Sequence, residues 1–166
     1  MPGSKVAGIL LLHKVCLAHC ETVGERSLRG GSTNAAHVFH IGFPQGVNVW
    51  LDLEGIKPSI SHGVVIDYCN AWIAEVASAG FAPGVYVGAK AILTGEEIFW
   101  RLQTKHFWRS GSKVPDIPHR GYQLIQKIIR GDNVGGIEID RNLTVNDNFG
   151  QSVLWLFQNA AIVITV

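Results

Sequence analysis

Asp52 and Glu54 stand two positions apart in the run "VNVWLDLEG" (47–55), at the end of an apolar stretch. A β-strand sends residues i and i+2 to the same face, so the two carboxyls and Trp50 point one way. Val47, Val49, Leu51 and Leu53 then point the other way, and Gly55 lets the chain turn off the strand. Two carboxyls held side by side repel, and one of them tends to keep its proton. A proton donor beside an ionised carboxylate suits acid catalysis. The same pair also suits a metal site or a buried polar network, so the rest of the chain has to decide.

Those acids must be positioned by neighbouring elements, and the hydrophobic periodicity supplies them. "KVCLAHCE" (14–21) reads as a strand, and "STNAAHVFHIG" (32–42) as a short capped helix. "GVNVWLDLEG" is the next strand. "SHGVVIDYCNAWIAEVASAG" (61–80) is the clearest helix, with Val64, Val65, Tyr68, Trp72, Val76 and Ala79 at helical spacing and Gly80 at the C′ position. "APGVYVG" (82–88) is a strand, "GEEIFWRLQ" (95–103) a helix with acids in its first turn, and "KHFWRS" (105–110) a short strand. A Gly-, Ser- and Pro-rich loop (110–121) leads to strands "YQLIQKII" (122–129) and "GGIEID" (135–140). "DNFGQSVLWLF" (147–157) reads as a last helix, and "AAIVITV" (160–166) as an apolar tail.

The alternation predicts an α/β fold with about six parallel strands joined by crossover helices, in one domain over 1–166. The acids fall at strand C-terminal ends: Asp52 and Glu54 on one, Asp140 on another, Glu21 just past a third. That edge carries the chemistry of α/β sheets and barrels alike. Composition agrees with buried strands. The 166 residues are 47% hydrophobic and only 16% charged. A net charge of +1 gives no electrostatic case for a nucleic-acid partner or an acidic membrane. No apolar run has the length of a membrane span, and "VAGILLL" has no cleavage site after it, so no signal peptide is read. Three cysteines, Cys16, Cys20 and Cys69, do not form a disulfide framework. His13, Cys16, His19 and Cys20 match no zinc pattern, and neither a metal nor a cofactor is expected.

Taken in order, "GFPQGVNVWLDLEGI", "GFAPGVYVG", "YQLIQK" and "GGIEIDRNLT" resemble the Rv2525c-like glycoside hydrolase-like family (DUF1906), which is related to the GH25 lysozymes. The resemblance covers about residues 15 to 143. It implies a (β/α)8, TIM-type barrel acting on a carbohydrate partner, and an extracellular or cell-envelope setting. In the lysozymes the Asp-x-Glu strand is the fourth. Only one strand is read before it here, so the match implies an incomplete barrel with the first two strands missing. The first of those normally carries another active-site aspartate, and residues 1–20 contain no acid to replace it. A truncated product, a fragment or a pseudoenzyme is the expectation that follows.

In this frame Glu54 is the better general acid, because it lies at the strand's end over the barrel mouth. Asp52 would stay ionised, stabilising positive charge at the sugar or orienting an acetamido group. Asp140 would be the third carboxylate. Tyr86, Gln126 and Trp108, at or near strand ends, would hold the sugar by hydrogen bonding and stacking. Strand rise puts the Asp52 and Glu54 Cα atoms roughly 6.6 Å apart. Carboxyl separations of ~5–5.5 Å go with retention and ~6.5–9.5 Å with inversion, so this spacing does not choose.

A structural reading stands beside each residue. Asp52 and Glu54 could be a pair held by Arg141 or backbone donors, and Asp140 could cap the following loop. Trp50, Trp72 and Trp100 read as core, and Tyr86 as barrel packing. Asn142-Leu143-Thr144 fits a glycosylation sequon. The expected function is hydrolysis of a β-1,4-linked, N-acetylated glycan of the peptidoglycan type. A chitinase-like, substrate-assisted hydrolase and an inactive glycan-binding relic are the alternatives.

Overall fold

In the computed structural model, which describes residues 11–14, 36, 38, 40 and 42–154, the acid-bearing run forms the centre of a sheet. Its strand, β2 (Asn48–Leu53), is buried at all six positions. A strand with both faces covered reads as a near-continuous apolar run, which explains why its two acids stand out. β1 (Leu11–Lys14) lies on one side of it, and β3 (Ala82–Val87), β4 (Phe107–Arg109) and β5 (Leu124–Lys127) follow on the other. These five strands are mutually parallel. The sixth, β8 (Arg141–Thr144), pairs antiparallel with β5, from Leu124 opposite Thr144 to Lys127 opposite Arg141.

Among the described residues the sheet does not close into a barrel: β1 and β8 lie at its two ends and are not paired with each other. Nor are six strands parallel. The cause lies in residues 128–140, where no crossover helix occurs. The chain instead makes a two-stranded ribbon, β6 (Asn133–Val134) against β7 (Ile137–Glu138). Gly135 (φ 62) and Gly136 (φ 88) both take positive φ, as a two-residue hairpin turn requires. A hairpin excursion returns the chain antiparallel, whereas a parallel return needs a dozen or more residues, usually helical. "GGIEID" is thus a turn, a two-residue strand and a connection, and the strand that joins the sheet comes after it.

The long helix is α1 (His62–Ser78). Ser61 caps it by accepting from the Val64 N–H at 3.4 Å, and Gly80 follows its end at φ 85. Val65, Ile66, Tyr68, Cys69, Trp72, Ile73 and Val76 are buried on one side of it. At about 1.5–3 kcal/mol per large side chain, that face dominates the helix's stability. The shorter α2 (Gly95–Arg101) starts from a full capping box between Thr94 and Glu97. Val49, Leu51, Leu53, Val85, Val87 and Phe107, alternate residues of β2, β3 and β4, share one core cluster with the α1 side chains.

Other expectations are shifted, overturned or only partly covered by the described residues. The strand expected over 14–21 is seen at Leu11–Lys14, and residues 15–21 lie outside the described residues. Of the short helix expected over 32–42, residues 36, 38 and 40 are helical and the others up to 41 lie outside the described residues. No helix forms over residues 147–154. Asp147 Oδ1 accepts from the N–H groups of Phe149 and Gln151, both at 2.9 Å, and Gly150 has φ 75. A side chain that takes local N–H groups in this way offers the backbone a turn in place of a helix. The chain then runs extended to β2, where Leu154 N donates to Asn48 Oδ1 at 2.6 Å. The tail 160–166 lies outside the described residues. Trp50 and Trp72 are core, but Trp100 is 66% exposed, pinned by its Nε1 to Glu96. Among the described residues no helix is long and apolar enough to cross a membrane.

Candidate functional site

The face of the sheet opposite α1 carries the site. Asp52 pairs in register with Tyr86, Tyr86 with Trp108, and Trp108 with Leu124. Residues paired across a sheet share a face, so these four form one row across β2 to β5. One step down, Trp50 pairs with Gly84. A Cβ on Gly84 would sit 2.5 Å from two atoms of the Trp50 ring, so the missing side chain is what gives that ring its place. Trp50 and Trp108 meet edge-on at 5.7 Å, and Tyr86 and Trp108 at 4.8 Å. Val153 and Leu124 complete this second cluster, so the segment after Asp147 helps to close the floor.

One step up, towards the strands' C-terminal ends, the polar groups collect. Glu54 leaves β2 beside Gly88, where a Cβ would lie 2.4 Å from Glu54 Cβ and 2.5 Å from Glu54 Oε2. The Tyr86 hydroxyl donates to Gln126 Oε1 at 2.9 Å. The Gly111 N–H donates to the same oxygen at 3.2 Å. Gln126 Nε2 in turn donates to Asp140 Oδ2 at 2.7 Å. These bonds fix the amide's orientation and tie three separate chain segments to one carboxylate. Asp140 reaches this edge because β8 runs antiparallel, which puts the residue before it at the C-terminal end of β5.

Asp52 pairs with Tyr86 in register, Asp140 is linked to it through Gln126, and the charge of Glu54 also bears on it. Burial raises the Tyr86 phenol above its ordinary value, a hydrogen bond with the Ser110 hydroxyl opposes this, and the negative charges of Glu54, Asp52 and Asp140 push it further up. The net direction is upward, so Tyr86 stays a neutral hydrogen-bond donor through the ordinary pH range. Asp52 is buried, whereas Glu54 is half-buried and Asp140 is exposed. The structure thus offers a recessed carboxylate and two more accessible ones whose charges bear on one phenol.

Trp108 lies in the floor, 5% exposed, with its Nε1 donating to Asn142 Oδ1 at 3.0 Å. It packs edge-on against Trp50 and Tyr86 and does not present an open stacking face. That bond also occupies the Asn142 side chain, the acceptor position of the sequon. Arg141 does not hold the acid pair: its guanidinium forms an ion pair with Asp132. Asp140 accepts from Gln126 across the edge of the sheet, which is more than a loop cap.

Gly88, Ser110 and Gly111 escape the sequence reading, and Asn142 enters it only as the head of a sequon. Asn142 had a signal. It lies two positions after Asp140 and opposite Gln126 in register, but only if 141–144 is read as the strand. Gly88 ends "PGVYVG", where a glycine reads as a turn and its contact with Glu54 is a matter of neighbouring strands.

A family model described as "Rv2525c-like, glycoside hydrolase-like domain" matches residues 24–144, a span that contains every polar residue of this edge. Comparison with curated proteins and with solved structures finds no match.

Proposed function

This chain belongs to the Rv2525c-like, glycoside hydrolase-like domain family, and from that premise we propose that it cleaves a β-1,4-linked, N-acetylated glycan of the peptidoglycan type at the Asp52–Glu54 edge. The observation that carries this reading is that Asp52 in register with Tyr86, Glu54 against Gly88, and Asp140 linked to Tyr86 through Gln126 all collect at the same end of the sheet. Glu54, the more accessible of the strand pair, gives its proton to the glycosidic oxygen as the bond to the anomeric carbon breaks. Asp52, recessed beside it, remains ionised and stabilises the positive charge left on the sugar, or holds the acetamido group against the anomeric centre. Water completes the reaction, and the proton it loses restores the acid pair. Asp140, steadied by Gln126, binds sugar hydroxyls or takes part as the third carboxylate, with Tyr86 as a neutral donor. Trp108 packs against Tyr86 in the floor of the site.

The test is release of reducing ends from purified peptidoglycan and from an N-acetylglucosamine oligomer, by the wild type and by Glu54→Gln. General acid catalysis typically contributes ~10²–10⁴-fold, and a loss in that range is expected for the variant. Equal rates for the two proteins overturn the assignment of Glu54. No release by a folded wild type leaves glycan binding without hydrolysis.

A further inference from the structure

Trp100 lies on the outer side of α2, 66% exposed and yet held in place. Its Nε1 donates to Glu96 Oε2, one helical turn earlier, at 2.8 Å. Its ring meets the buried Phe99 edge-on at 4.6 Å and His119 edge-on at 5.2 Å. His119 stacks on Phe99 at 5.2 Å, and its Nε2 donates to Glu96 Oε1 at 3.1 Å. An indole fixed in this way loses little freedom when a ligand settles on it. Its polar handle is already engaged by Glu96, so what it offers is a ring face. Glu96 and His119, both about half exposed, border that face, and the carboxylate has acceptor capacity left. A second exposed ring attends the same turn: Phe149 lies 5.3 Å from the Arg120 guanidinium, next in sequence to His119.

This cluster is separate from the acid site. Phe99 belongs to the core on the α1 side of the sheet, whereas Trp50, Tyr86 and Trp108 form the cluster of the opposite face. The surroundings of Trp100 decide what fits it. The exposed aliphatic side chains of the described residues sit elsewhere: Ile128 is over Gly111, Leu143 is opposite Ile125 in register, and Leu154 is bonded to Asn48. A broad apolar patch of the kind that binds another protein is therefore not what surrounds the indole. A carboxylate and an imidazole border it instead. A ring face edged by hydrogen-bonding groups suits a pyranose, whose C–H faces are apolar and whose rim is polar.

We propose that Trp100, with Glu96 and His119 at its edge, is a second glycan-binding site, apart from the Asp52–Glu54 edge. A sugar ring stacks by its C–H face on the indole, and its hydroxyl or acetamido N–H groups donate to Glu96. The inference rests on the glycan reading above and adds a second contact with the same polymer. Because the two sites belong to opposite faces of the sheet, this one holds the protein on a long or insoluble glycan and does not position the bond that is cleaved.

Co-sedimentation with insoluble peptidoglycan tests this on the whole chain carrying Glu54→Gln, which does not consume the polymer. Trp100→Ala, added to it, should weaken binding roughly tenfold. Trp100→Phe, which keeps a ring, should recover most of that loss. Ile128→Ala, an exposed apolar truncation outside the cluster, should leave binding unchanged. Denaturant midpoints should stay close to the parent's, since both positions are exposed. Without the Glu54 change, Trp100→Ala should release reducing ends from a short soluble N-acetylglucosamine oligomer at the wild-type rate. Unchanged binding by Trp100→Ala, or an equal loss with Ile128→Ala, overturns the second site and leaves the glycan reading in place. So does a loss of self-association in Trp100→Ala with glycan binding intact, which would assign the ring to a protein interface. If no form of the chain binds the polymer or cleaves the oligomer, the glycan reading falls and this inference with it.

Discussion

Glu54 packs against the bare backbone of Gly88, with its Oε2 only 2.5 Å from where a Cβ would be. The neighbouring strand therefore sets the position of the accessible carboxyl by lacking a side chain. Any larger residue at 88 has to displace Glu54, Tyr86 or both, since Tyr86 Cε1 is 3.1 Å from the same point.

Gly88→Ala should accordingly cost about 1–3 kcal/mol through overpacking. It should lower hydrolysis by about 10²-fold, because a misplacement near 1 Å is enough for that. Denaturant unfolding and reducing-end release, measured on the same preparation, check both halves. An alanine variant with wild-type activity would show that Glu54 is not held by this contact.

Asp52→Asn keeps the shape of the recessed side chain and removes its charge. If that charge stabilises the developing cation, kcat should fall about 10²–10³-fold with KM little changed. A change in KM alone would instead assign Asp52 to substrate binding. The comparison needs single substrates of defined length.

Tyr86→Phe removes the donor to Gln126 Oε1 but leaves the bonds from Gly111 and to Asp140 in place. Stability should drop by about 1 kcal/mol, the usual net worth of such a bond. Because burial and the three acids raise the phenol's pKa, the drop should be the same at pH 6 and pH 8. Urea titrations at those two values test it, and a cost that grows with pH in this window would contradict a neutral Tyr86.

Below the floor of the site, Arg120 Nε lies 2.9 Å from Asp147 Oδ2, an ion contact that is not aligned as a hydrogen bond. Burial pushes the Asp147 carboxyl up, but bonds from the Gln151 N–H, the Gln123 amide and the Phe149 N–H, together with the Arg120 charge, outweigh it and the net direction is downward. A carboxylate lowered on folding adds stability above its unfolded pKa of about 3.9, and that stability is lost as pH falls through the folded value. Asp147→Asn leaves Arg120 buried without its counter-charge and should cost about 3–5 kcal/mol at pH 7. The gap between variant and wild type should narrow below about pH 4. Chemical denaturation across that range measures it.

The amino-acid sequence by itself determined the strand that carries Asp52 and Glu54, the face they share with Trp50, and the long helix after them. Those features depend on period-2 and period-3.6 patterns and on caps such as Ser61 and Gly80, which are local. It also carried the family resemblance, because that rests on short motifs in order. Only the tertiary structure decided that β8 closes back antiparallel on β5. Strand direction depends on whether a connection folds as a helix or a hairpin, and Gly135-Gly136 inside an apolar run gives the two readings almost equal footing. That choice brings Asp140 to Gln126 and Asn142 to Trp108. The fate of residues 147–154 was likewise not local, since Asp147 serves the turn and Arg120 together while Val153 packs beneath Trp50. The exposure of Trp100 follows the same logic: helical spacing places a residue on a face, but only the packing of neighbouring segments decides whether that face is covered.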